Sequence, residues 1–246
     1  MQNDIINLTN EFNRIKKMGW IESMRRGSTG IGYTFETLLN KEENDFPIPD
    51  YNTIEIKTMR IRSKRNIHLF NATPDGDYLF PIERVLNKLG YPDRKEKKYK
   101  VFNWEIKGKE YTKIGYYKKA ILIVNREKRK VDLIAYKDGK KLQLDTSWSF
   151  DLLKQKIELK VRYLALIRAL SRKENDKEFF YYKDIFFYKL KSFDTFLNLI
   201  DEGKIAVSFK INVYRKGIKK GQIDNHGTDF SIKERHIKEL FNKIDL

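Results

Sequence analysis

Apolar positions recur at helical spacing from the start of the chain. Ile5, Ile6, Phe12 and Ile15 predict a first helix over residues 4–18, closed by Gly19. A basic, glycine-rich turn, RRGSTGIG, follows. Ser28 or Thr29 stands where a cap belongs, ahead of a second helix with Ile31, Phe35, Leu38 and Leu39 on one face. Pro47 and Pro49 stop its continuation. The period then drops to two: from Thr53 to Met59, Ile54 and Ile56 alternate with polar neighbours, the pattern of a half-buried strand.

Beyond this strand the pattern is less regular. ATPDGDY reads as a turn and 82–89 as a short helix. Strands are predicted at Tyr99–Ile106, Ala120–Val124, Val131–Tyr136 and Lys141–Leu144, with Asp138-Gly139 as a hairpin turn between the last two. A helix runs from Phe150 to about Val161; the apolar stretch Tyr163–Leu170 either continues it or forms a buried strand, the strand being favoured. The aromatic run Phe179–Leu190 reads as a strand whose rings pack in a core rather than stack on bases. Ser192 caps a helix bearing Phe193, Phe196, Leu197 and Ile200, with Gly203 past its end. Ile205–Tyr214 alternates as a strand, RKGIKKGQ is a basic loop, and Asp229–Ile232 returns as a short strand before a final short helix. The order is mixed α+β, with no internal repeat and no low-complexity linker. A sheet occupies the first two-thirds and a more basic unit the end.

The chain has 246 residues, enough for one domain or for two lobes. Hydrophobic residues make up 40%, which excludes a disordered chain. Lys and Arg number 51 against 34 Asp and Glu, a net charge of +17. Such a field attracts polyanions, nucleic acid first. An AT-rich genome also produces Lys-, Ile- and Asn-rich usage. No segment combines a long cationic face with a long apolar one, so a membrane surface is disfavoured. The absence of cysteine excludes disulfides, thiolate metal sites and cysteine nucleophiles. The N-terminus is polar, no apolar run approaches spanning length, and the expected setting is the cytoplasm.

The candidate chemistry lies in PDYNTIEIKT. On a strand, side chains two apart point the same way, so Glu55 and Lys57 share a face while Ile54 and Ile56 enter the core. Asp50, from the preceding turn, converges on the same point. Asp50, Glu55 and the Ile56 backbone carbonyl offer hard oxygen ligands suited to Mg²⁺. Such a metal activates a water for phosphodiester hydrolysis, and a nearby ammonium balances the transition-state charge. The spacing alone also fits a solvated edge strand. Glu36, at the border of the second helix's apolar stripe, is an additional acid within reach of the same pocket.

Two blocks, GSTGIGYTFETLLNKEEND and PDYNTIEIKT, resemble the MvaI/BcnI family of type II restriction endonucleases, part of the MutH-like branch of the PD-(D/E)XK nucleases. TSWSFDLLKQKIELKVRYLALI is similar to the family's Trp-Ser-Phe-Asp helix and following strand. GKIAVSFKINVYRKGIKKGQIDNHGTDFSI is similar to its late strand, glycine-lysine loop and His-Gly-Thr segment. Residues 60–140 lie outside the resemblance. It implies a mixed central β-sheet flanked by helices, with a catalytic lobe over about 1–170 and a DNA-recognition lobe over 171–246. Asp50, Glu55 and Lys57 would be the catalytic acids and lysine, and Glu36 a supporting acid. It further implies a monomer cutting double-stranded DNA one strand after the other at a short, pseudo-palindromic CC-N-GG-like site. A companion DNA methyltransferase would act on the same site. A MutH-type repair nickase and a catalytically silent DNA-binding module are the alternatives; the late basic block favours the restriction enzyme.

Site-specific cutting needs base-edge donors on a frame that grips phosphate. Arg215, Lys216, Lys219, Lys220 and His226 in the late block are the candidates, Arg and Lys suiting guanine O6 and N7. Arg25 and Arg26 are placed to grip phosphate or enter the minor groove. Arg60, Arg62, Lys64 and Arg65 are expected to face the backbone near the scissile bond. His68 and His236 are read as structural or solvated.

Overall fold

The computed structural model describes residues 1–40, 48–76 and 80–245; the stop expected at Pro47 and the later part of the ATPDGDY turn lie outside them. The chain divides into two compact units, Met1–Ile67 with Ile157–Lys191 and Ile237–Leu246, and His68–Lys156 with Ser192–His236. This corrects the expected boundary at residue 170. That position falls inside the strand Tyr163–Glu174, which pairs along its length with Lys177–Leu190, and a cut there would split a hairpin.

The first unit is built on one mixed sheet. Its strands run in the order Ile21–Glu22, Lys177–Leu190, Tyr163–Glu174, Glu55–Arg60, with Phe241–Ile244 also against Lys177–Leu190. The Glu55–Arg60 strand lies parallel to its neighbour, Glu55 opposite Leu164 and Arg60 opposite Ala169. The hairpin turns at Asn175 and Asp176, both at positive φ (47° and 61°).

One face of this sheet meets two helices, Gln2–Lys17 and Gly30–Leu38. Ile5, Leu8, Phe12 and Ile15 of the first and Ile31 and Phe35 of the second are buried against Ile54, Ile56, Ala165 and Ile167. Ile6, expected on the first stripe, is exposed; Leu8 falls on the buried arc in its place. Thr29 occupies the N-cap of the second helix, but its side chain makes no capping bond. The aromatic run packs inward as expected. Phe180 and Tyr182 point into the core, and a bulge at Arg168/Ala169 shifts the parity so that Phe187 points inward further along. The Tyr182 hydroxyl donates to the Ile31 carbonyl at 2.8 Å, so its burial leaves no polar group unsatisfied.

The second unit contains two five-stranded sheets. One runs Ile67–Asn71, Ile223–Ile232, Ile205–Val213, Lys100–Lys107, Tyr91–Pro92. The other runs Ser147–Ser149, Lys130–Lys137, Lys118–Asn125, Thr112–Ile114, with Lys140–Leu142 beside Lys130–Lys137. Phe70, Trp148, Phe196, Phe209 and Phe230 form an aromatic core, and Trp148 Nε1 donates to the Ala72 carbonyl at 2.8 Å. Asp138 and Gly139 adopt the positive φ values (51° and 77°) that a two-residue hairpin turn requires. Ser192 caps the helix Phe193–Asp201 by accepting from the Thr195 amide. The late strand is longer than expected, Ile223–Ile232, and takes in His226. The last helix, Ile237–Leu240, leads into the strand Phe241–Ile244, which the apolar pattern did not predict. Among the described residues no helix is long and apolar enough to cross a membrane.

Candidate active site

A tight turn sets the position of Asp50. Tyr51 and Ile54 exchange backbone hydrogen bonds (2.9 and 2.7 Å), and Asn52 between them takes φ 50°. Asp4, in the first turn of the N-terminal helix, ties this turn down. Thr53 Oγ1 donates to its carboxylate at 2.7 Å and Asn52 Nδ2 at 3.1 Å, and these donors, Thr53 foremost, hold the Asp4 carboxyl below its usual range. The chain leaving the turn brings the Ile56 amide onto Asp50 Oδ2 at 3.0 Å. Asp50 is thereby latched to the strand that carries Glu55 and Lys57.

Glu55 is fully buried. Lys57 Nζ donates to its Oε1, and Lys160 Nζ stands 3.6 Å from the same oxygen. The other oxygen, Oε2, is buried without a hydrogen-bond partner among the described residues. Burial pushes the Glu55 carboxyl up to about 7. Asp50 adds to that rise, and Lys57 and Lys160 oppose it without cancelling it. A buried carboxylate with one oxygen unsatisfied, beside a second carboxylate, is short of positive charge. A hard divalent cation would meet that need, with Asp50, Glu55 and the intervening Ile56 carbonyl as protein ligands. Among the described residues no group of three or more His, Cys, Asp or Glu side chains is arranged to hold a metal. Two carboxylates are nevertheless a sufficient protein share for Mg²⁺, which keeps several waters.

Glu36 stands on the helix Gly30–Leu38. A Cβ built on Gly32 would stand 3.2 Å from Thr58 Oγ1 and 3.5 Å from Glu36 Oε1, so helix and strand approach closely there. Thr58 alternates with Glu55 and Lys57, which places Glu36 on the helix-covered side of the sheet. Its charge acts on Tyr182, whose hydroxyl burial and Glu36 push up and Arg60 pulls down.

The basic candidates fall into engaged and exposed groups. Arg60 is engaged: it pairs with both oxygens of Glu178 at 2.8 Å, donates to the Ser28 carbonyl at 3.3 Å and lies over Phe180. Arg25 lies over the Tyr33 ring at 3.8 Å. Arg26, Arg62, Lys64 and Arg65 are exposed. In the second unit Arg215 clamps the nearly buried Asp93 through Nε (2.7 Å) and Nη2 (2.5 Å), the geometry of a structural brace. Lys216, Lys219 and Lys220 are exposed, with Lys219 Nζ over Tyr214. His226 is exposed, 3.0 Å from Asp224 Oδ2. It precedes Gly227 (φ 94°) where the pairing with Ile205–Val213 shifts register, a bulge that re-aims a side chain. His68 pairs with Asp229 at 3.3 Å, beside Lys210 on the same carboxylate.

Two residues of the site escaped the sequence. Lys160 ends the helix that leads into the strand parallel to Glu55–Arg60, and a lysine just before a predicted strand was its only signal. Asp4 had none, since nothing in the primary structure joins the first helix to a turn near residue 52.

This chain overlays on a solved structure described as a restriction endonuclease MvaI–cognate DNA substrate complex. The TM-score is 0.90 at 28% identity, covering 99% of this chain and 98% of that one. A structure of restriction endonuclease MvaI in the absence of DNA matches with a TM-score of 0.64 at the same identity and coverage. The mixed sheet and its flanking helices are thus those of a restriction-endonuclease fold. The MvaI/BcnI restriction endonuclease family model matches residues 9–241, and the chain belongs to that family. No curated protein matches the sequence.

Proposed function

We propose that this protein is a Mg²⁺-dependent type II restriction endonuclease that hydrolyses phosphodiester bonds in double-stranded DNA. The observation that carries the reading is the buried Glu55, its Oε2 unsatisfied, beside the latched Asp50 and the Lys57 ammonium. When bound, Mg²⁺ supplies an activated water and neutralises charge on the attacked phosphate. Asp50, Glu55 and the Ile56 carbonyl would hold it. Lys57 orients the attacking water and balances the developing charge, with Lys160 adding a second positive charge on the same side. Glu36, on the helix Gly30–Leu38, is the supporting acid.

The first unit takes the catalytic role and the second the recognition role. Lys216, Lys219, Lys220 and His226 contact DNA, Arg215 braces their loop through Asp93, and Arg26 and Arg62 contact phosphate. The target is a short, pseudo-palindromic CC-N-GG-like site, cut one strand after the other by a monomer, in a cytoplasm where a methyltransferase protects the same site. A digest of plasmid DNA with Mg²⁺ or with chelator, followed by end-sequencing, tests this. Discrete fragments whose ends share one short sequence, absent with chelator, are expected. Nicks without double-strand breaks would point to a repair-type nickase, and intact DNA to a silent binding module.

A further inference from the structure

The first unit holds a second basic feature, separate from the Asp50–Glu55–Lys57 cluster. A cleft of ≈ 1140 Å³ is walled by the loop around residues 20–28, the segment 60–65 that leaves the Glu55–Arg60 strand, and the hairpin tip near residues 169–178. None of Asp50, Glu55 or Lys57 lines it. Seven basic side chains face three acidic ones there. Two of the three acids are already neutralised inside the wall, Glu178 by Arg60 and Glu22 by Lys177. Among the described residues Arg26, Arg62, Arg65 and Lys173 have no ion-pair partner. Like charges gathered on a concave wall repel one another, and a polyanion laid along the wall relieves that repulsion.

The wall is also braced. Arg60 ties the Ser28 carbonyl and Glu178 together across the cleft's floor, so two of its sides are fixed to the end of the strand. Gly30 completes the brace: a Cβ there would overlap the Arg25 carbonyl and Ser23 Oγ, so the loop folds this tightly only around glycine. Arg60 is therefore the cleft's frame and not one of its ligands.

From Glu55 to Arg60 is five strand steps, roughly 16 Å at about 3.3 Å per residue. Phosphates of one DNA strand succeed each other at about 3.4 Å along the axis, so a duplex lying along this strand would pass about five nucleotides over that span. From these distances we propose that the cleft binds the DNA backbone flanking the recognition site, about five nucleotides from the scissile phosphate, through Arg26, Arg62, Arg65 and Lys173. The inference rests on the nuclease reading above. It moves Arg62 and Arg65 from the scissile bond to the flank and adds Lys173 from the hairpin tip. The contacts are to phosphate, so they set affinity and leave the choice of sequence to the other unit.

The test compares binding of duplexes that carry the site found by end-sequencing. In one, both flanks are about twelve base pairs long; in two others, one flank or the other is removed so that the duplex ends at the site itself, short of the cleft. The parent should lose about tenfold in affinity when one particular flank is trimmed, and Arg62→Ala/Lys173→Ala should lose most of that dependence, with a salt slope lower by about two. Equal affinity of the parent for all three duplexes would overturn the proposal, as would full flank dependence in the variant. Cleavage of the long duplex in Mg²⁺ reads the nuclease activity separately. Lys57→Ala binding the three duplexes with the parent's flank dependence but without cutting would keep the cleft apart from the nuclease reading; cutting by the parent without flank dependence would sink the cleft alone.

Discussion

A carboxylate beside two ammonium groups ordinarily sits below its solution value, yet burial drives the Glu55 carboxyl up to about 7. Its folded value lies above the ordinary glutamate value of 4.5, so its contribution to stability is fully present below about pH 4.5 and is lost as the pH rises through about 7. Above pH 7 the metal-free protein carries a buried charge that it holds at a cost. Glu55→Gln removes that cost. The variant should be more stable than the parent at pH 8 by on the order of 3 kcal/mol, and the gap should close towards pH 4.5. Urea unfolding at the two pH values measures it, and Mg²⁺ should stabilise the parent at pH 8 while leaving the variant unchanged. Equal stability at pH 8 would mean that Glu55 is not held charged and short of a cation. Asp50, Glu55 and Lys57 were legible as a cluster because alternation separates them from Ile54 and Ile56. The burial of Glu55 was not, since the strand's pattern says nothing of what covers its other face. Nor was the engagement of Arg215 by Asp93, across 122 residues of chain.

At the scale of elements, the turn Tyr51–Ile54 and the first helix act together. Asp4 holds Asn52 and Thr53, the turn fixes where the chain re-enters the strand, and that entry puts the Ile56 amide on Asp50. Asp4→Ala should leave the fold in place and lower the cleavage rate by about tenfold, since small displacements of reacting groups have large effects on rate. Asp4→Asn, which keeps an acceptor for Thr53, should recover part of it. Single-turnover cleavage with enzyme in excess over DNA and well above Kd separates this from a binding defect, and an unchanged rate in Asp4→Ala would show that Asp4 does not position the site. The longer elements were readable because their periods or apolar runs are sustained: both helices packed on the first sheet, the strands over Tyr163–Leu170 and Phe179–Leu190, and the capped helix after Ser192; the polar hairpin tip that joins the two strands was not. Short strands such as Ile21–Glu22, Ile67–Asn71 and Ser147–Ser149 were not. Two to five residues hold too little of a period, and their place is set by the partner strand. His226 fell outside the predicted strand Asp229–Ile232 for a related reason: the bulge at Gly227 interrupts the alternation that would have marked it as strand.

The whole molecule carries its net charge of +17 in both units, and its division follows contacts that the linear sequence does not order. The first unit takes three separate stretches of chain, which is why a single boundary near 170 could not describe it. The charge has a measurable consequence. If several phosphates are neutralised, affinity should fall by about 10³-fold or more between about 50 and 200 mM salt, for cognate and non-cognate DNA alike. A salt-independent affinity would leave the basic surface without its partner. The central claim, that the strand Glu55–Arg60 with Asp50 hydrolyses DNA, is tested most directly by one comparison. Single-turnover cleavage of a site-bearing duplex in Mg²⁺ is followed for the parent and for Lys57→Ala, with binding of both measured in parallel. The account predicts a loss in rate of about 10²- to 10³-fold or more, with affinity retained within a few-fold. Cleavage by Lys57→Ala at the parent's rate would contradict it.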